Sequence, residues 1–237
     1  MLILDKAFIS YSQLGEDKLV RNILDRLADS GVSLPSTTYL DVGSYHPVKA
    51  SNTYALYKNG WSGTAVDAND QKCRLFKKKR PRDLVVSAAV VPQALQSHSL
   101  FLAGQGVDDA SERVVSLKPC STARTPLKAK TLDEIFSIHH DKFGLSPTLV
   151  NVDIEGLDAD VLVDSRYLSG TAIPLLLVEH FMKAGAKDKS IFSYECSELN
   201  IFLERNGYRL ISVVGPTMFF SHETFWVPFA RSLSDVE

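Results

Sequence analysis

Thr38-Tyr39-Leu40-Asp41-Val42-Gly43 is the stretch on which the fold turns: a short, mostly apolar run that reads as a buried strand and stops at a glycine. Upstream, Leu19, Val20, Ile23, Leu24 and Leu27 fall on one helical stripe within residues 18–28. Asp17, Lys18, Arg21, Asp25 and Arg26 take the other faces, so the spacing predicts an amphipathic helix. Downstream, a helix over about 51–59 ends at Gly60, where a left-handed residue is wanted. Residues 64–67 then read as a second strand and 84–91 as a third. Strand, helix, strand, helix, strand predicts a parallel sheet covered by helices, an α/β fold.

The second half repeats the rhythm. Helices are expected over 132–139, from about Asp158, and over 193–206; strands over 148–153, 175–179 and 208–214; and short aromatic segments around Phe219 and Trp226. Between the halves, residues 104–130 are rich in Gly, Ser, Thr, Pro and charge and longer than most ordered connections, which predicts a mobile substrate loop. The expected organisation is one domain over 1–237, with residues 1–36 as a helical cover and 37–230 as the core.

Composition narrows the function classes. The 237 residues are 45% hydrophobic and 23% charged, enough for one sizeable core and too apolar for disorder. Lys and Arg number 26 against 28 Asp and Glu, so no global field attracts nucleic acid or an anionic membrane. Cys73, Cys120 and Cys196 are far apart, which indicates neither a disulfide framework nor a zinc cluster. Met1-Leu2-Ile3-Leu4 runs into Asp5 and Lys6, too short an apolar stretch for a secretory signal, and no run approaches the about 20 apolar residues of a membrane span. A soluble, cytoplasmic protein is the expectation.

In open α/β sheets, ligands bind outside the carboxyl ends of the strands. Here those ends read Asp41-Val42-Gly43-Ser44-Tyr45-His46-Pro47, Asp67-Ala68-Asn69, Asn151-Val152-Asp153-Ile154-Glu155-Gly156 and Glu179-His180. A glycine turn followed by an acid after the next strand suits a nucleoside, the acid accepting hydrogen bonds from ribose hydroxyls. A dinucleotide fingerprint needs a second glycine where Tyr45 stands, which argues against an NAD-dependent oxidoreductase. S-adenosylmethionine (SAM) has no pyrophosphate and needs only the one tight glycine.

These motifs together resemble the FkbM family of SAM-dependent methyltransferases. The resemblance is carried by residues 41–47, Ser51-Asn52-Thr53, Gly60-Trp61-Ser62-Gly63 and Asp67-Ala68-Asn69, with Ser12-Gln13-Leu14-Gly15-Glu16-Asp17 ahead of them. Thr131-Leu132-Asp133 and Asp153-Ile154-Glu155-Gly156-Leu157-Asp158 follow. It spans roughly residues 10 to 220. It implies a class I methyltransferase fold, Rossmann-like, with a mostly parallel sheet, helices on both faces and an antiparallel edge strand. It also implies methylation of a hydroxyl on a saccharide or other small natural product. By position, Asp41, Gly43 and Ser44 would turn under the methionine part of SAM, Asp67 would hold the ribose, and Ala68, Asn69, Ser87 and Ala88 would lie beside the adenine. Gln13 and Glu16 would fold back over the cofactor.

Methyl transfer to oxygen asks for alignment of the acceptor and for a group that takes its proton. Asp153 and Glu155, two apart, share a side if strand geometry persists, and His180 ends the neighbouring strand with a pKa suited to proton transfer. These three are the candidate catalytic residues. They also match a divalent ion, Mg or Mn, of mixed oxygen and nitrogen ligands. His46, Asn52, Glu155 and Glu179 are the candidates to touch the acceptor. The structural alternative is that Glu155 caps the next helix while Glu179 and His180 hold strand-end backbone.

Remaining features have structural readings. Lys72, Arg74, Lys77, Lys78, Lys79, Arg80 and Arg82 read as the solvated last turn of a helix rather than an RNA patch. His139-His140 reads as a solvated pair, and Tyr54, Tyr57 and Trp61 as core. Phe219, Phe220, Phe225 and Trp226 would pack the terminal strands, an exposed pair giving a homodimer surface. The rival from another class is a non-catalytic SAM-binding module that uses the basic run to hold RNA or a protein partner.

Overall fold

All five residues of Thr38–Val42 are buried, because this strand lies inside a sheet with partners on both edges. The structure, a computed structural model, describes residues 9–103, 113–116, 126–179 and 197–234. Its elements begin with α1 (Glu16–Asp29), β1 (Thr38–Val42), α2 (Tyr54–Lys58), β2 (Ser62–Asp67), α3 (Asp70–Lys79), β3 (Leu84–Ser87) and β4 (Ala89–Val90). β5 (Leu100–Ala103), β6 (Arg113–Ser116) and β7 (Ala129–Lys130) follow, then α4 (Leu132–Phe143), β8 (Leu149–Val152), α5 (Asp158–Val163), α6 (Arg166–Gly170) and β9 (Leu175–Glu179). The chain continues through α7 (Glu198–Arg205), β10 (Tyr208–Val214), β11 (Thr217–His222) and α8 (Glu223–Ser234).

Seven strands form one sheet in the order β10-β11-β9-β8-β1-β2-β3. The five from β9 to β3 are mutually parallel. β11 runs antiparallel to both neighbours, so the antiparallel strand expected at the edge lies one place in from it, with β10 outside. Side chains alternate across the sheet with period two. Leu40, Val42, Val150, Val152, Leu176 and Val178 enter one core with Ile135 and Phe136 of α4, Val161 and Leu162 of α5 and Leu203 of α7. Tyr39, Leu149, Leu175 and Leu177 enter the other with Val20 and Leu24 of α1 and Leu56 and Tyr57 of α2. The mostly parallel, two-faced α/β architecture read from the sequence is the one found.

Several local readings change. The third strand breaks at Ala88: β3 stays in the main sheet, whereas β4 pairs with β7. Within 104–130, residues 113–116 pair with β5 and 129–130 with β4; residues 104–112 and 117–125 lie outside the described residues. The helix expected from Ser51 starts only at Tyr54, since Ser51 and Thr53 turn their hydroxyls to a buried guanidinium. That guanidinium corrects the reading of the basic run: Arg80 is 0% exposed and Lys72 4%, while Lys77, Lys78 and Lys79 stay in solvent. Arg80 Nε donates to the Pro47 carbonyl at 2.6 Å, NH1 to Thr53 Oγ1 at 2.9 Å and NH2 to Ser51 Oγ at 2.7 Å. Asp83 Oδ2 lies 3.6 Å away, its side chain equally sealed from water. His139 is also buried rather than solvated, between Thr38 Oγ1 at 3.1 Å and Thr64 Oγ1 at 2.9 Å. Phe219 and Phe220 pack the core, but Phe225 and Trp226 belong to α8 rather than to a strand.

Candidate active site

A pocket runs across the carboxyl ends of five neighbouring strands. Ala88 lies beyond β3, Asp67 ends β2, Asp41 to Tyr45 leave β1, Asn151 and Asp153 leave β8, and Glu179 ends β9. Its floor is built at Gly43. The backbone N–H groups of Gly43 and Ser44 both donate to the Val66 carbonyl, at 2.9 and 3.0 Å, and Asp153 N–H donates to the Val42 carbonyl at 2.9 Å. The two chains are thereby drawn so close that a Cβ on Gly43, whose φ is +83°, would sit 1.6 Å from the Asp153 carbonyl oxygen. Only glycine fits. Ser44 lines the pocket next to it, and its Oγ is buried with no hydrogen-bond partner among the described residues. Such an orphan donor costs free energy unless a ligand or water satisfies it.

At the β2 end, the Asp67 carboxylate accepts from Asn69 N–H at 2.7 Å and from Tyr45 N–H at 3.1 Å, holding Tyr45 at a left-handed φ of 48°. Lys72 reaches into the same end, its Nζ 4.9 Å from the Tyr45 ring centroid. Gln13 lines the pocket from above. It is placed there by Asp17, 1% exposed, which gathers Ser10 Oγ, Tyr11 N–H and Ser12 Oγ at 2.6, 2.7 and 2.9 Å.

At the β9 end three carboxylates meet. Asp153, Glu155 and Glu179 each offer an oxygen, all within 4.8 Å of one another. Strand geometry does not carry Asp153 and Glu155 to a common side, because β8 ends at Val152 and Glu155 takes a φ of 56°. The turn is held instead by Asp158, whose Oδ1 accepts from Ile154 N–H at 2.7 Å and Oδ2 from Gly156 N–H at 2.9 Å. Burial raises the Asp158 pKa to about 6, against those backbone bonds, which lower it. Burial, and then the hydrogen bond and charge of Glu179, push the Asp153 carboxyl far above the usual carboxylate range. A non-glycine residue held at positive φ is uncommon and costly, and such positions concentrate at functional sites.

A model of the methyltransferase FkbM domain matches residues 41–210, from the strand that leads to Gly43 to the last but one strand of the sheet. The chain belongs to this family. No curated protein and no solved structure matches it. The protein is therefore a methyltransferase.

Of the residues expected to hold the cofactor, the fold brings Gln13, Asp41, Gly43, Ser44, Asp67, Ala68, Ala88 and Asp153 to the pocket wall, with Asn52, Glu155 and Glu179 from the catalytic and acceptor set. Others stand back from it. Asn69 caps α3 by accepting from Gln71 and Lys72 N–H, Ser87 donates to Asp70, and Glu16, 3% exposed, accepts from Leu14 N–H at 2.8 Å. His46 Nδ1 accepts from Val48 and Lys49 N–H at 3.0 and 2.9 Å and so braces its own turn. His180 lies outside the described residues; among the described residues, Glu179 joins Asp153 and Glu155 in the acidic cluster. Sequence reasoning missed Lys72 and Asn151 as wall residues and Asp158 as the brace. Lys72 is hidden within a basic run, Asn151 looks like an ordinary strand residue, and Asp158 looks like ordinary helix-start acid.

Proposed function

We propose that this FkbM methyltransferase transfers a methyl group from SAM to a hydroxyl oxygen of a saccharide or other small natural product. The observation that carries the reading is the layout of one pocket: Asp67 at its β2 end and three converging carboxylates at its β9 end. β2 and β9 stand three strand spacings apart, about 14 Å. That span has room for a nucleoside on Asp67 and its reacting carbon near the acids. Residues present fit the cofactor. The Ser44 hydroxyl awaits a partner, the glycine turn at Gly43 leaves the floor clear, and the Asp67 carboxylate lines the β2 end, where ribose hydroxyls would reach it.

When bound, SAM supplies a methyl carbon activated by its sulfonium. The wall residues Gly43 and Ser44 would hold the methionyl part, and Asp67 and Ala68 the nucleoside. Glu155 would take the proton of the acceptor hydroxyl as that oxygen accepts the methyl group, the sulfur keeping the electron pair of the bond it gives up. Asp153 and Glu179 converge with Glu155 and give that end of the pocket an acidic lining, which favours a neutral, hydroxyl-rich acceptor over an anionic one. The same three carboxylates are an all-oxygen set of the kind that holds Mg or Mn, which would lower the pKa of a bound hydroxyl.

Incubating the protein with methyl-labelled SAM and a panel of glycans and small hydroxylated metabolites tests the proposal. Label in a methyl ether is expected, with calorimetric binding of SAM and none of NADH. Label on nitrogen or carbon, or absence of SAM binding, would overturn it.

A further inference from the structure

A chain of hydrogen bonds leads from the buried Arg80 to the pocket wall. Thr53 Oγ1, which accepts from Arg80, donates to Asp41 Oδ2 at 2.5 Å. Asp41 Oδ1 accepts from Asn151 Nδ2 at 3.0 Å, and Asn151 Oδ1 accepts from Asn52 Nδ2 at 3.0 Å. Arg80, Thr53, Asp41 and Asn151 are all at least nine-tenths buried, while Asn52 lies at the pocket wall and keeps partial access to solvent.

The direction of this chain is set by charge. A carboxylate only accepts, and the Arg80 guanidinium only donates. Both oxygens of Asp41 are used as acceptors, so Asn151 must turn its NH₂ toward Asp41 and its carbonyl toward Asn52. Asn52 must in turn give an N–H to Asn151, which points its carbonyl oxygen away from the chain. An isolated surface asparagine samples both amide orientations; this one is held in one of them.

Strand order says what that carbonyl faces. Asp67, on β2, marks the nucleoside end, and Asp41 and Asn151 sit one and two strands further along, on β1 and β8, where the methionyl part would lie. The one strong hydrogen-bond donor in that part is its α-ammonium group. Resting on the SAM reading above, we propose that Asn52 reads the α-ammonium of the bound cofactor and that Asp41, acting through Asn151, is the positioning residue that sets the Asn52 amide.

The test compares two ligands, S-adenosylhomocysteine and its analogue lacking the α-amino group, by calorimetry on the whole chain. The wild-type protein should prefer the amino-bearing ligand by about tenfold or more, the ordinary worth of a hydrogen bond to a charged group. In Asn52→Ala that preference should collapse toward unity. It should also collapse in Asn151→Leu, which leaves Asn52 in place but removes its orienting partner. A loss of packing alone would weaken both ligands equally and leave their ratio unchanged. Retention of the wild-type ratio in folded Asn52→Ala, or in Asn151→Leu judged folded by its melting temperature, would overturn the assignment. Failure of the wild-type chain to bind either ligand would instead overturn the SAM reading beneath it.

Discussion

Placing a methyl group on Gly43 separates backbone strain from collision. In Gly43→Ala the new Cβ carries a left-handed φ of +83° and lies 1.6 Å from the Asp153 carbonyl oxygen. Gly60 provides the control, since it has a φ of +93° and nothing within 4 Å of the equivalent Cβ. Alanine in the left-handed region costs about 1–2 kcal/mol, which is all that Gly60→Ala should lose. Gly43→Ala adds overpacking, about 1–3 kcal/mol more, because neither backbone is free to retreat. Gly43 N–H is tied to Val66 and Asp153 N–H to Val42. In a domain of this size 1 kcal/mol moves the melting temperature by about 2–4 °C. Gly43→Ala should therefore melt clearly below Gly60→Ala in calorimetry, and should also bind SAM more weakly, since the shift it forces falls on Asp153. Equal melting temperatures for the two variants would refute the account of Gly43 as the residue that permits the close approach of β1 and the Asp153 turn.

Asp67→Ala should weaken SAM binding by roughly ten- to a hundredfold, because a charged acceptor to hydroxyls is worth about 1.5–3 kcal/mol; unchanged affinity in titration calorimetry would remove Asp67 from the nucleoside end. His139, buried between Thr38 and Thr64, has its pKa lowered to about 4 by burial and then by the charge of His140. Its unfolded value is about 6.5, so this contribution to stability is full above that pH and is lost as pH falls toward 4, amounting to about 3 kcal/mol. Urea unfolding of His139→Gln should show a shallower decline over that interval, and an identical decline would count against it. Glu155→Gln should lose about two to four orders of magnitude in turnover with SAM affinity near normal. If His180 is the base instead, the same loss appears in His180→Ala and Glu155→Gln stays active. Turnover abolished by EDTA and restored by magnesium or manganese would assign the carboxylates to an ion.

How much of this was legible in the sequence depends on the range of the interaction. The buried strand at Thr38–Val42, the stop at Gly43 and the acid at Asp67 are local patterns, and they sufficed for the parallel sheet and for the β2 end of the pocket. α4, expected over 132–139, runs on to Phe143: Thr131 and Glu134 form a reciprocal cap at its start, and Gly144 closes it at a left-handed φ. The acidic end was only half visible. Asp153 and Glu155 were found by spacing, but their convergence comes from the Asp158 brace, and Glu179 joins them across a strand pair.

The sequence by itself determined the layer architecture, the strand ends that form the pocket and half of the residues on its wall, because period and punctuation act over a few neighbouring positions. Only the tertiary structure decided the fates of the polar groups inside. Nothing in the run Lys77-Lys78-Lys79-Arg80 distinguishes its last member. Yet three residues remain in water while Arg80 is sealed against Pro47, Ser51 and Thr53, from the loop between β1 and α2. His139 and His140 part in the same way, one between two threonines and one in solvent. A charge or an imidazole enters a core only where distant partners satisfy it, and those partners are brought together by the fold rather than by adjacency in the chain.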